Sequence, residues 1–84
     1  MNITQKEKNL TILIKGINEW IDSVEDDIAM VTRFLKQSIE HNDDKFVKKY
    51  EKMIEEKFEE RDELYDWLSR TKELLNKIKK GETK

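Results

Sequence analysis

The residues with the most chemical potential in this chain stand together in Ile39-Glu40-His41-Asn42-Asp43-Asp44-Lys45-Phe46, where the single histidine is followed by an amide and two carboxylates. An imidazole beside carboxylates is the raw material of a metal site or a general base. Neither is completed here. There is no cysteine and no second histidine, and the hydroxyls of Ser23, Ser38 and Ser69 have only His41 to activate them. A dimetal carboxylate site in a four-helix bundle uses Glu-x-x-His, whereas Glu60 is followed at that spacing by Glu63, and Asp27 by Met30. The chain is therefore read as a non-enzyme with no catalytic, cofactor-binding or metal-binding residues. The stretch is better explained as a chain reversal, with Asn42 capping a following helix and Asp43 and Asp44 in its first turn, where the helix dipole favours negative charge.

Two helices must flank that reversal. From Leu10 the aliphatic residues Leu10, Ile14, Ile17, Ile21, Val24, Ile28, Val31 and Leu35 keep an unbroken 4-3 spacing, which holds one stripe of a helix against a neighbour. Thr4 with Glu7 has the form of a capping box, so the first helix is expected to start near Thr4. A second stripe runs through Val47, Tyr50, Ile54, Leu64, Leu68, Leu75 and Ile78, with Lys57, Arg61 and Thr71 as polar members. It is out of phase with the first, because Leu35 to Val47 does not match a continuing heptad repeat. No glycine or proline enforces the break, so one straight helix is the rival reading. A break at Asp22-Ser23 is disfavoured because the first stripe crosses it intact.

The expectation is an all-α, antiparallel two-helix hairpin with helices at about 4–40 and 43–79 and a frayed basic tail at 80–84, forming a single domain. Residue i then lies across from residue 85 − i. With 84 residues the core is small, which favours oligomerisation as a supplement. Charged residues make up 43% of the chain and nearly cancel to a net charge of −2. That balance describes a solvated surface, not a nucleic-acid-binding composition.

One edge of this hairpin is expected to be apolar. It carries Leu13, Trp20, Asp27 and Phe34 from the first helix and Phe46, Met53, Glu60, Trp67 and Leu74 from the second. Left in water, it would equal or exceed the patch of roughly 300–600 Å² found on ordinary monomers. Two hairpins joining these faces would form a four-helix bundle. Docking on another protein, with Trp20 and Trp67 as anchors, is the sharper alternative. At the middle of the edge, Asp27, Glu60 and Arg61 are expected to form a polar layer that fixes register, with Arg61 as the partner of Asp27.

Residues 19–27 hold Glu19, Asp22, Glu25, Asp26 and Asp27, a net of −5, while residues 58–66 hold Glu59, Glu60, Asp62, Glu63 and Asp66 against Arg61, a net of −4. The reversal rule lays these segments side by side as an acidic waist suited to a basic protein surface.

The function expected from this pattern is protein binding, as a small regulator or inhibitor of the kind phages encode. Its partners are a second copy of itself and a protein with a basic surface. A lysine-rich, arginine-poor and nearly alanine-free usage agrees with an AT-rich genome. A purely structural oligomerisation module is one alternative. Another is nucleic-acid binding, since the architecture resembles helical-hairpin dimers of the Rop type, which bind RNA, and Lys45, Lys48, Lys49 and Lys52 cluster at the start of the second helix. That resemblance is of architecture alone and these residues match no motif, so nucleic acid is disfavoured. The longest apolar run is four residues, Ile28 to Val31, and the N-terminus has no signal-peptide core, so a cytoplasmic, non-membrane protein is expected.

Overall fold

Thr4 opens the first helix, and its hydroxyl accepts a hydrogen bond from the Glu7 amide at 3.1 Å. The Glu7 carboxylate accepts from that same hydroxyl at 3.3 Å, so a side-chain pair stands where the capping box would reach back to the backbone. The computed structural model describes residues 4–81. Two helices, α1 (Gln5–Glu40) and α2 (Asp44–Lys79), pack against each other as an antiparallel hairpin. The straight-helix reading is thereby excluded, as is a break at Asp22-Ser23, which α1 crosses.

The reversal is made differently from the capping expected. His41 caps α1, and Asn42 adopts a left-handed conformation with φ 54°. The Asn42 amide donates to the Ile39 carbonyl at 3.1 Å and the Asp43 amide to the Ser38 carbonyl at 3.0 Å. This is the paired-bond signature of a Schellman ending. Asparagine fills the position usually taken by glycine, because it tolerates positive φ better than most residues with a side chain. Asn42 therefore ends α1, and Asp43 is the N-cap of α2, its carboxylate accepting from the Phe46 amide at 3.4 Å. Asp44 alone occupies the first turn.

At the other end, the Lys80 amide donates to the Asn76 carbonyl and the Gly81 amide to the Ile78 carbonyl, each at 3.0 Å. Gly81 takes φ 75°, the left-handed C-terminal position that glycine fills without strain. Of the expected basic tail, residues 82–84 lie outside the described residues.

Both aliphatic stripes turn inward. All eight members of the first are buried or half-buried, as is every member of the second, including Lys57, Arg61 and Thr71. The tightest cluster joins Ile17, Ile21 and Val24 to Leu64 and Leu68, with Ile14 and Ile28 packed against it. Each such side chain contributes roughly 1.5–3 kcal/mol of transfer free energy when fully buried. Thr71 is buried among them without leaving its hydroxyl unpaired, since Oγ1 donates to the Trp67 carbonyl at 2.7 Å. The result is a rod of 62 × 16 × 12 Å. No helix among the described residues is long and apolar enough to cross a membrane.

Candidate functional site: an apolar edge divided by a polar waist

Because the rod is only two helices thick, each helix shows a solvent face beside its seam, and the composition of those faces decides what the protein can touch. On one edge Leu13, Trp20, Phe34, Phe46 and Trp67 are each 40–59% exposed. Met53 and Leu74, at the same heptad position of α2 as Phe46 and Trp67, are half-buried. At about 150–250 Å² per aromatic side chain, the four rings alone leave on the order of 400 Å² in water. This matches the largest patch of an ordinary monomer before the aliphatic residues are added.

The edge is not continuous. The Lys57 ammonium lies 3.3 Å from the Asp27 carboxylate and 3.6 Å from that of Glu60. The Trp20 indole donates to Glu60 at 3.2 Å. The hydrogen bond to Asp27 holds Lys57 above the ordinary lysine pKa, against the opposing effect of burial and with added support from the Glu60 and Asp27 charges. This cluster separates a distal lobe of Leu13, Trp20, Trp67 and Leu74 from a turn-side lobe of Phe34, Phe46 and Met53. In the turn-side lobe, Tyr50 lies 5.8 Å from the Phe34 ring and 6.1 Å from that of Phe46. Met30, 48% exposed and one helical turn before Phe34, extends the same lobe.

Asp27 therefore pairs with Lys57, and the expected Asp27–Arg61 pair does not form. Position 57 is nearly straight across from Asp27 under the 85 − i register. Arg61 turns to the opposite edge, where its guanidinium lies 4.9 Å from the Phe58 ring centroid. Its Nε is buried without a hydrogen-bond partner among the described residues. On that same edge the Tyr65 hydroxyl donates to Glu25 at 2.8 Å. This bond holds the phenol above the ordinary tyrosine pKa, helped by partial burial and the Glu25 charge and opposed by nearby Arg61.

The two acidic segments do meet. Cross-helix bonds Trp20–Glu60, Glu25–Tyr65 and Asp27–Lys57 bracket the expected register and lay residues 19–27 beside 58–66. Glu19, Asp22, Asp26, Glu59, Asp62, Glu63 and Asp66 all face solvent there. Asp66 pairs with Arg70 at 3.1 Å on its own helix, and Lys57 lends one more cation to the belt. No group of three or more His, Cys, Asp or Glu among the described residues is arranged as metal ligands are. Lys57 was the least legible part of the site. Its signal was its place in an otherwise apolar stripe, one position from the level of Asp27.

No family model, no curated protein and no solved structure matches this chain.

Proposed function

We propose that this protein is a non-enzymatic protein–protein interaction module, a small regulator or inhibitor that works through its apolar edge and the acidic belt around it. The observation that carries this reading is the exposure of Trp20, Trp67, Phe34 and Phe46 on one edge of a hairpin whose own seam is already filled. Buried Trp and Tyr dominate the energetics of interfaces, and a folded chain that leaves two Trp in water has them available for binding. The belt adds selectivity, since ten acidic groups against few cations favour a partner with a basic surface. The first partner is a second hairpin, which would complete a four-helix bundle and bury the apolar edge that one hairpin leaves in water.

Sedimentation equilibrium tests the bundle, with a dimer expected at micromolar concentration. Binding of a basic partner is tested by capture at low salt and at about 0.5 M, where exposed charges are largely screened. Capture is expected to fall with salt and with Trp20→Ala or Trp67→Ala. Capture indifferent to both changes refutes the reading.

A further inference from the structure

The apolar edge is flanked on α2 by a column of exposed charges at heptad spacing, Lys49, Glu56, Glu63, Arg70 and Lys77. Its last four members are two acids followed by two bases. The corresponding flank of α1 holds Asn9, Gly16, Ser23 and Met30 and carries no charge. At Gly16 an added Cβ would meet nothing within 4 Å, so that side is open to close approach.

A column with this order is complementary to itself when reversed. From it we infer that the occupant of the edge is a second copy of this chain, docked antiparallel about a two-fold axis that crosses α2 between Asp66 and Trp67. This rests on the binding role proposed above and fixes its partner and geometry. Such an axis stacks α1 on α1 and α2 on α2. Glu56 then faces Lys77 of the second copy, and Glu63 faces Arg70 of the second copy, with both pairs repeated by symmetry.

Neighbouring registers satisfy fewer of the same charges. One heptad toward the turn, the nearly flush overlay, keeps Glu56 against Arg70 but sets Glu63 on its own symmetry mate and Lys49 against Lys77. One heptad the other way keeps only the Glu63–Lys77 pairs and sets Arg70 on its own mate. A slide of two heptads toward the turn lays the distal lobe on the turn-side lobe, but it brings Glu56 against Glu63 and Lys49 against Arg70. Like charges at closely packed positions destabilise association, so the charged flank favours the staggered dimer over the flush one.

The stagger overlaps α2 from position 54 to 79. At 1.5 Å per residue and the 16 Å width of the rod, this is on the order of 600 Å² per copy, enough for a specific interface at the small end of the standard range. Trp20, Trp67, Leu13 and Leu74 lie within the overlap, and Lys77 of the second copy approaches the net-negative Asp27–Lys57–Glu60 cluster. Phe34, Phe46 and Met53 lie beyond it, leaving an aromatic lobe at each end of the dimer for another partner. Arg70 and Lys77 presently contact Asp66 at 3.1 Å and Glu73 at 4.0 Å within their helix. These are exposed pairs that hold little free energy and yield readily to a new partner.

The test uses the absence of native cysteine. Full-length Glu63→Cys and Arg70→Cys variants are mixed under mild oxidation, with circular dichroism confirming helicity. Disulfide between unlike variants is expected to exceed either like pair several-fold. Glu63→Arg alone is expected to weaken the dimer about tenfold, because two symmetry-related attractions become repulsions, and Glu63→Arg with Arg70→Glu in one chain restores it. A dimer in which like-with-like cross-links dominate overturns this register and leaves the docking role standing. A folded monomer at every accessible concentration overturns self-docking altogether, and binding of a basic partner is then judged by the capture experiment alone.

Discussion

The Tyr65 hydroxyl and the Glu25 carboxylate, 40 residues apart in sequence, meet at 2.8 Å on the edge facing away from the two Trp side chains. On the other edge, Trp20 and Glu60 meet at 3.2 Å with the same separation in sequence. One bond is offset toward the turn and the other away from it, so together they pin the slide of one arm along the other. The donor at Tyr65 must stay protonated for its bond to persist. Its raised pKa means that the folded state holds the phenolic proton more tightly than the unfolded chain does. The stabilisation is fully present below the unfolded value of about 10 and is lost as pH rises through the raised one. In Tyr50→Phe, which leaves Tyr65 as the one tyrosine, the ultraviolet absorbance of tyrosinate is expected to titrate above that value and to fall back when Glu25→Gln is added.

Lys57 is the hub of the waist, and removing it leaves Asp27 and Glu60 facing each other half-buried. A double-mutant cycle of Lys57→Met with Asp27→Asn, read by urea unfolding, is expected to show a coupling of about 0.5–1 kcal/mol at low salt and less at high salt, since both groups remain partly solvated. Lys57 keeps its proton more firmly in the folded state. The coupling therefore persists below the ordinary lysine pKa and disappears as pH climbs through the raised value.

Asn42 has a positive φ at the reversal, so opposite substitutions there have opposite signs. Asn42→Val, β-branched and intolerant of this conformation, is expected to cost about 1–2 kcal/mol. Asn42→Gly is expected to be neutral or to stabilise by up to about 1 kcal/mol, the relief of strain outweighing the added freedom of the unfolded chain. Thermal melts of the two variants against the parent check both directions.

Leu68 and Trp67 are adjacent in sequence and opposite in role. Leu68 is 7% exposed in the core cluster, and Leu68→Ala is expected to destabilise by about 2–5 kcal/mol, much of the stability of so small a domain. Trp67 is 59% exposed, and Trp67→Ala is expected to leave the helical signal of the dilute monomer intact while weakening association. Circular dichroism and sedimentation on the same pair of variants separate the two effects.

What the sequence made legible is what period and charge can encode. The 4-3 spacing of Leu10 to Leu35 identified the buried stripe, and the phase slip before Val47 located the reversal. The 85 − i register brought the acidic segments together, as the Glu25–Tyr65 and Asp27–Lys57 contacts show. Backbone conformation was less legible. Asn42 is a good cap by type, and only the left-handed φ with its two returning amide bonds shows that it closes the first helix and leaves the capping of the second to Asp43. The direction of a long side chain was equally hidden. Arg61 and Lys57 both occupy the seam, and whether each turns to the carboxylates or to the ring of Phe58 depends on edge geometry that spacing does not record.

The tightest packing, of Val24 and Ile21 on Leu64 and Leu68, joins positions about 40 residues apart, well away from the bend between the arms. Docking those positions first closes a loop of about 40 residues, an entropic cost that the strong burial there has to outweigh. Folding rates are expected to slow most for Val24→Ala or Leu64→Ala, while changes at Asn42 chiefly speed unfolding, as stopped-flow measurements on each variant would show. With that outcome the molecule is a clasp that closes at mid-arm before its bend settles.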